Sequence, residues 1–127
     1  MTRKTLEFFF DVGSPTTYLA WTQVPRVLAA TRAPVSFRPM LLGGVFKATG
    51  NASPATVPAK RLFTLQDLQR FARRYGVPFT YNPYFPINTM QLMRSVIGIQ
   101  LRAPEKFKEF TNLVFTNMWV NSLNLGH

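Results

Sequence analysis

The run Phe8-Phe9-Phe10-Asp11-Val12-Gly13-Ser14-Pro15 constrains this chain more than any other stretch. An apolar strand passes straight into a Gly-Ser-Pro turn, and a long apolar-patterned segment follows at once. Ser14 suits the N-cap of a helix, where its side-chain oxygen accepts from the first free backbone N–H groups. Pro15 suits the first helical position, where its missing donor costs nothing. A hydroxyl held there, at the carboxyl end of a strand, is well placed to meet an anion or a thiolate. Taken alone, the same residues describe a helix cap with no other task.

The rest of the chain alternates strand and helix signals. Residues 6–11 read as a buried strand, with Leu6, Phe8 and Phe10 on one face and Phe9 on the other. A helix is expected from Pro15 to about Ala30, with Tyr18, Trp21, Val24 and Leu28 along one stripe and a kink at Pro25. A second strand at 35–38 completes a βαβ unit with parallel, right-handed return. Residues 41–58 are rich in Gly, Ala, Ser and Pro and read as a loop, with Gly50-Asn51 its clearest turn.

A further helix, 59–75, places Leu62, Leu65, Leu68 and Ala72 on one side and stops at Gly76. Residues 79–87 look irregular. Asn88 is expected to cap a helix running to about Gln100, with Met90, Met93, Val96 and Ile97 inward. Pro104 opens the last helix, with Phe107, Phe110, Val114 and Met118 at helical spacing. Met and Phe at such intervals are core residues before they are a cofactor site. The expected organisation is an α/β part over 1–56 and a helical insertion over 57–127.

Composition removes several function classes. With no cysteine, disulfide frameworks, thiolate metal sites and dithiol redox chemistry are excluded. The only histidine, His127, is the last residue, so neither a Ser-His-acid triad nor a histidine metal site is expected. No run has the length of a membrane span, and Met1-Thr2-Arg3-Lys4 leads into a strand pattern with Glu7 and Asp11 rather than a signal peptide. A cytoplasmic protein is the expectation. Net charge is +10, from 15 basic and 5 acidic residues. That raises a basic domain for acidic partners as a rival reading, but no nucleic-acid motif accompanies the charge and nucleic acid is not the expected partner.

Several segments together carry a resemblance. They are the strand-Ser-Pro element, Arg38-Pro39-Met40-Leu41-Leu42-Gly43-Gly44-Val45-Phe46-Lys47-Ala48-Thr49-Gly50-Asn51, Val57-Pro58-Ala59-Lys60-Arg61, Asp67 to Phe79, and Asn82-Pro83-Tyr84-Phe85-Pro86-Ile87-Asn88-Thr89. In this order and spacing the chain resembles the 2-hydroxychromene-2-carboxylate isomerase family. That family is a glutathione-dependent branch of the DsbA-like thioredoxin superfamily, related to kappa-class glutathione transferases. The resemblance implies an α/β, thioredoxin-like (DsbA-type) βαβ unit with a helical insertion. It also implies that the C-terminal half of the thioredoxin fold is missing, including a Val-Pro turn with a cis-proline and a later acidic segment. Pro86, in the earlier helical region, is not that proline.

What the resemblance implies for individual residues is specific. Ser14 stands where redox relatives carry their reactive thiol, and would donate to the sulfur of bound glutathione. Pro15 and the backbone N–H of Thr16 belong to the same site. Asn51 would hydrogen-bond the glutathione backbone, and Lys60 would pair with its glycyl carboxylate. Lys47, Asn88, Thr89 and Arg94 would line the pocket for a small aromatic second substrate, although solvation explains Lys47 and capping explains Asn88 equally well. No metal is implied, and a homodimer is consistent with the family. The implied activity is cis–trans isomerisation of a 2-hydroxychromene-2-carboxylate-like compound, with a kappa-type glutathione transfer as the alternative.

Overall fold

The structure, a computed structural model, describes residues 4–126. Strands β1 (Leu6–Phe10) and β2 (Val35–Pro39) pair in parallel, from Leu6 opposite Val35 to Phe10 opposite Pro39. Helix α1 (Pro15–Thr31) makes the return between them, which gives the βαβ unit read from the sequence. Alternation along β1 turns Phe8 and Phe10 toward the helices and leaves Phe9 57% exposed. The expected burial of both faces therefore holds for one face only.

Two strands bury too little to stand alone, so the helices supply the core. Besides α1 these are α3 (Pro58–Tyr75), α4 (Met90–Arg102) and α5 (Phe107–Trp119); α2 (Leu42–Thr49) has no buried residue, and short 3₁₀ turns lie at Pro54–Thr56 and Pro104–Lys106. Trp21 of α1 sits 5.3 Å, centroid to centroid, from both Phe37 of β2 and Phe115 of α5, and 5.8 Å from Phe10 of β1. Tilted and edge-on contacts of this kind add stabilisation beyond buried area. One core draws on both 1–56 and 57–127: Phe10 and Trp21 pack in the same cluster as Leu68, Val96 and Phe115.

Several elements differ from their sequence reading. Residues 41–58 are not a plain loop, for α2 and a 3₁₀ turn occupy most of them. Gly43 and Gly44 weaken the local helix signal. The helix is started instead from a distance, by Asp11, whose Oδ2 accepts from the N–H of Leu42 at 2.9 Å. Gly50, read as a loop turn, is the left-handed residue that ends α2 at φ 68°. α1 continues through Pro25, which is exposed, as far as Thr31.

α4 begins one residue later than expected. Its cap position is Thr89, while Asn88 Oδ1 accepts from the Met90 N–H at 3.0 Å from just outside the helix. Met93 and Val96 are buried as read, but Met90 and Ile97 are exposed. On α3, Leu68 and Ala72 are buried whereas Leu62 is exposed.

Residues 79–87 are irregular, as expected, and are held by side chains rather than by a backbone ladder. Buried Asn82 donates to the carbonyls of Met118 and Leu123, both at 2.9 Å, and accepts from the Tyr84 N–H at 2.8 Å. Trp119, fully buried, donates its indole N–H to the Val12 carbonyl at 2.9 Å. That bond ties α5 to the turn after β1. Pro86 falls in this irregular stretch rather than in a helical region, and the Phe85–Pro86 peptide is cis.

Candidate active site

The end of β1 organises the site. Beyond Phe10 the chain enters the turn Asp11-Val12-Gly13-Ser14, and Asp11 is only 3% exposed. Its carboxyl group accepts from three donors on separate segments. These are the Gly13 N–H at 2.9 Å, the Leu42 N–H at 2.9 Å, and the Thr89 hydroxyl, 2.8 and 2.9 Å from the two oxygens. One side chain thus joins the turn before α1, the start of α2 and the start of α4. Gly13 is needed for that convergence: a Cβ there would lie 2.6 Å from Thr89 Cγ2.

Ser14 caps α1 as the sequence suggested, its oxygen accepting from the Thr17 N–H at 3.2 Å. The carbonyl of Ser14 takes the Tyr18 N–H at 3.1 Å. Two donors remain. The Ser14 hydroxyl hydrogen is not used by the cap, because the cap uses the oxygen as acceptor. The Thr16 N–H has no acceptor among the described residues. Both lie at the positive end of a 17-residue helix.

These donors face a cavity of about 260 Å³. Its wall includes Ser14, Pro15 and Thr16 of α1, Leu42, Gly43 and Phe46 of α2, and Ser53, Pro54 and Ala55 of the 3₁₀ turn. Arg61 and Thr64 come from α3, Tyr81, Phe85, Pro86 and Ile87 from the irregular segment, and Asp11, Gly13 and Thr89 from the junction just described. Ser14 is neither turned into the core nor closed over. The wall is mostly apolar, with few polar groups converging on it, which is the usual build of a small-ligand site.

The structure brings together four of the nine residues singled out from the sequence: Ser14, Pro15, Thr16 and Thr89 line the cavity. Thr89 does so with its hydroxyl committed to Asp11. Asn51, Lys47, Lys60, Asn88 and Arg94 are exposed and outside the lining. Asn51 follows the α2 stop, with its backbone N–H on Phe46 O at 2.9 Å and its Oδ1 accepting from Ala52 N–H at 2.8 Å.

The cavity also takes in Asp11, Arg61 and the apolar wall of Phe46, Tyr81 and Phe85, none of which the sequence singles out as site residues. Asp11 did leave a signal, since an Asp two residues before a Gly favours a side-chain-closed turn. Its contacts with Leu42 and Thr89 left none. Among the described residues no group of three potential metal ligands exists, and no helix is long and apolar enough to cross a membrane.

A parallel βαβ unit, an N-capped helix opening beside a cleft and helices packed on the sheet define a thioredoxin-like α/β protein. The chain belongs to the DSBA-like thioredoxin domain family, which matches residues 5–126. It is 30% identical over 121 residues to glutathione S-transferase kappa 1 of Caenorhabditis elegans, covering 91% of this chain and 52% of that protein. It is 27% identical over 118 residues to 2-hydroxychromene-2-carboxylate isomerase of Sphingobium xenophagum, covering 91% and 58%. Among solved structures, a 2-hydroxychromene-2-carboxylate isomerase shares the fold with a TM-score of 0.80 at 24% identity, over 94% of this chain and 58% of that one. The chain spans about half the length of the curated relatives it matches.

Proposed function

We propose that this chain carries the thiolate-binding part of a glutathione-dependent enzyme, and that its reaction is cis–trans isomerisation of a 2-hydroxychromene-2-carboxylate-like substrate. The observation that carries the reading is the pair of unused donors, Ser14 Oγ–H and Thr16 N–H, at the mouth of α1 beside an open cavity. A chain with no cysteine has no thiol of its own to place there. A hydroxyl and a helix N-terminus suit a negatively charged sulfur, because both favour the ionised form.

Glutathione, when bound, supplies a sulfur nucleophile that adds reversibly to the substrate and leaves unchanged. The chain's own part is to bind, orient and hold charge. Ser14 donates to the sulfur, the Thr16 N–H supports it, and Pro15 presents no competing donor. Asn51 and Lys60, beyond the cavity lining, are assigned to the peptide and glycyl carboxylate of the tripeptide. Lys47, Asn88 and Arg94 are assigned to the approach of the second substrate. Thr89 keeps the floor of the site in place through Asp11.

A second reading is favoured by the relatives named as kappa glutathione transferases. In it the same residues serve a transfer, in which the sulfur stays attached to an electrophile. Two assays on this chain separate the readings. Glutathione-dependent isomerisation of 2-hydroxychromene-2-carboxylate, without net consumption of thiol, supports the isomerase. Consumption of thiol with a halogenated dinitrobenzene, and no isomerisation, replaces it with the transferase. Inactivity in both rejects catalysis by this chain.

A further inference from the structure

The cavity wall holds two charged side chains, Asp11 and Arg61. Asp11 is already surrounded by donors from Gly13, Leu42 and Thr89. Arg61 is different. Its backbone is fixed in the first turn of α3 by a 2.9 Å bond from its N–H to the Val57 carbonyl. Its guanidinium has no ion pair or hydrogen bond among the described residues, where the one salt bridge joins Arg38 to Glu7. Thr64, three residues on and on the same side of α3, also reaches the cavity and adds a hydroxyl. Around them the wall is apolar and partly aromatic, through Leu42, Phe46, Phe85 and Ile87.

An uncommitted guanidinium on an exposed residue of a mostly apolar cavity wall suits a ligand with a flat apolar body and one anionic group. A carboxylate fits best, since two of its oxygens match two parallel N–H donors of arginine. We infer that Arg61 is the specificity residue of this cavity, pairing with the carboxylate of an aromatic acid. The statement that this acid is the isomerase's second substrate rests on the function proposed above. Lys47, Lys60 and Arg94 are exposed outside the lining, so a lost Arg61 has no replacement at the wall.

The experiment compares naphthoate with its uncharged counterpart naphthamide by calorimetric titration into the whole chain. Hydrogen bonds to charged groups set the scale, and for an exposed guanidinium the low end applies: a preference for naphthoate of ~10-fold. Arg61→Gln removes that preference while leaving naphthamide affinity and the unfolding midpoint unchanged. Arg61→Lys keeps part of it, and Arg73→Gln, on the last turn of α3, keeps all of it. A preference that survives Arg61→Gln overturns the inference, as does wild-type protein that binds both probes equally or neither. Absence of glutathione-dependent isomerisation with the naphthoate preference intact would instead sink the proposed enzyme and leave Arg61 in its role.

Discussion

Replacing Asp11 by alanine should unfold the junction beneath the cavity, and the structure gives the size of the effect. Three donors lose their acceptor at once: the Thr89 hydroxyl, the Gly13 N–H and the Leu42 N–H. Thr89 is 5% exposed and so bears most of the penalty of an unpaired buried group, about 2 kcal/mol. The two backbone donors are only partly buried and recover some hydration, so each adds about 0.5–1 kcal/mol. The expected loss is therefore about 3–4 kcal/mol, a large share of the ~5–15 kcal/mol that a domain typically has. Buried Trp21 and Trp119 report unfolding by fluorescence, and the urea midpoint should fall by ~1–2 M. Thr89→Val removes the orphaned hydroxyl, so the double variant should lose at least ~1 kcal/mol less than the sum of the single losses. A midpoint shift worth under ~0.5 kcal/mol, or strictly additive losses, would refute the idea that Asp11 ties these segments together.

Gly13→Ala forces a Cβ to within 2.6 Å of Thr89 Cγ2 and should cost about 1–3 kcal/mol, read from the same urea transition; a neutral result would mean that Thr89 is not held against the turn. Tyr18 is buried, donates to the Pro78 carbonyl at 2.6 Å, and has its pKa raised by that burial. Its neutral form is the one favoured in the fold, so its contribution is complete below its unfolded value of 10.0 and is lost as pH rises through the higher folded value. Stability should thus fall more steeply above about pH 10 than in Tyr18→Phe, and parallel pH curves would contradict this. Ser14→Ala should cost about 1 kcal/mol as a lost helix cap, measured by urea unfolding without ligand; a much larger loss would make Ser14 chiefly structural.

How much of this could be read from the chain depended on whether a feature was local. β1, the Ser14-Pro15 start of α1 and the Gly76 stop of α3 rest on neighbouring residues, and each stands where the pattern put it. α2 does not: two glycines hide it, and its first N–H is capped from a residue 31 positions away. Asn88 looked like the cap of α4 because its side chain does reach Met90, yet the buried bond to Asp11 draws Thr89 into the cap position. The cavity was half readable. Ser14, Pro15 and Thr16 are contiguous and stand out locally as a helix start, whereas Arg61 and Phe85 reach the cavity through the packing of α3 and of the Asn82-anchored segment. No spacing in the sequence encodes that meeting.

The most direct test of the account is the proton balance when glutathione binds. Calorimetric titrations near neutral pH in buffers of different ionisation enthalpy report whether a thiol proton is released into solution. Wild-type protein should take up the tripeptide saturably with release of a proton, and Ser14→Ala should bind with little or none. Binding without proton release, or equal release from both proteins, would contradict a sulfur held ionised at the opening of α1.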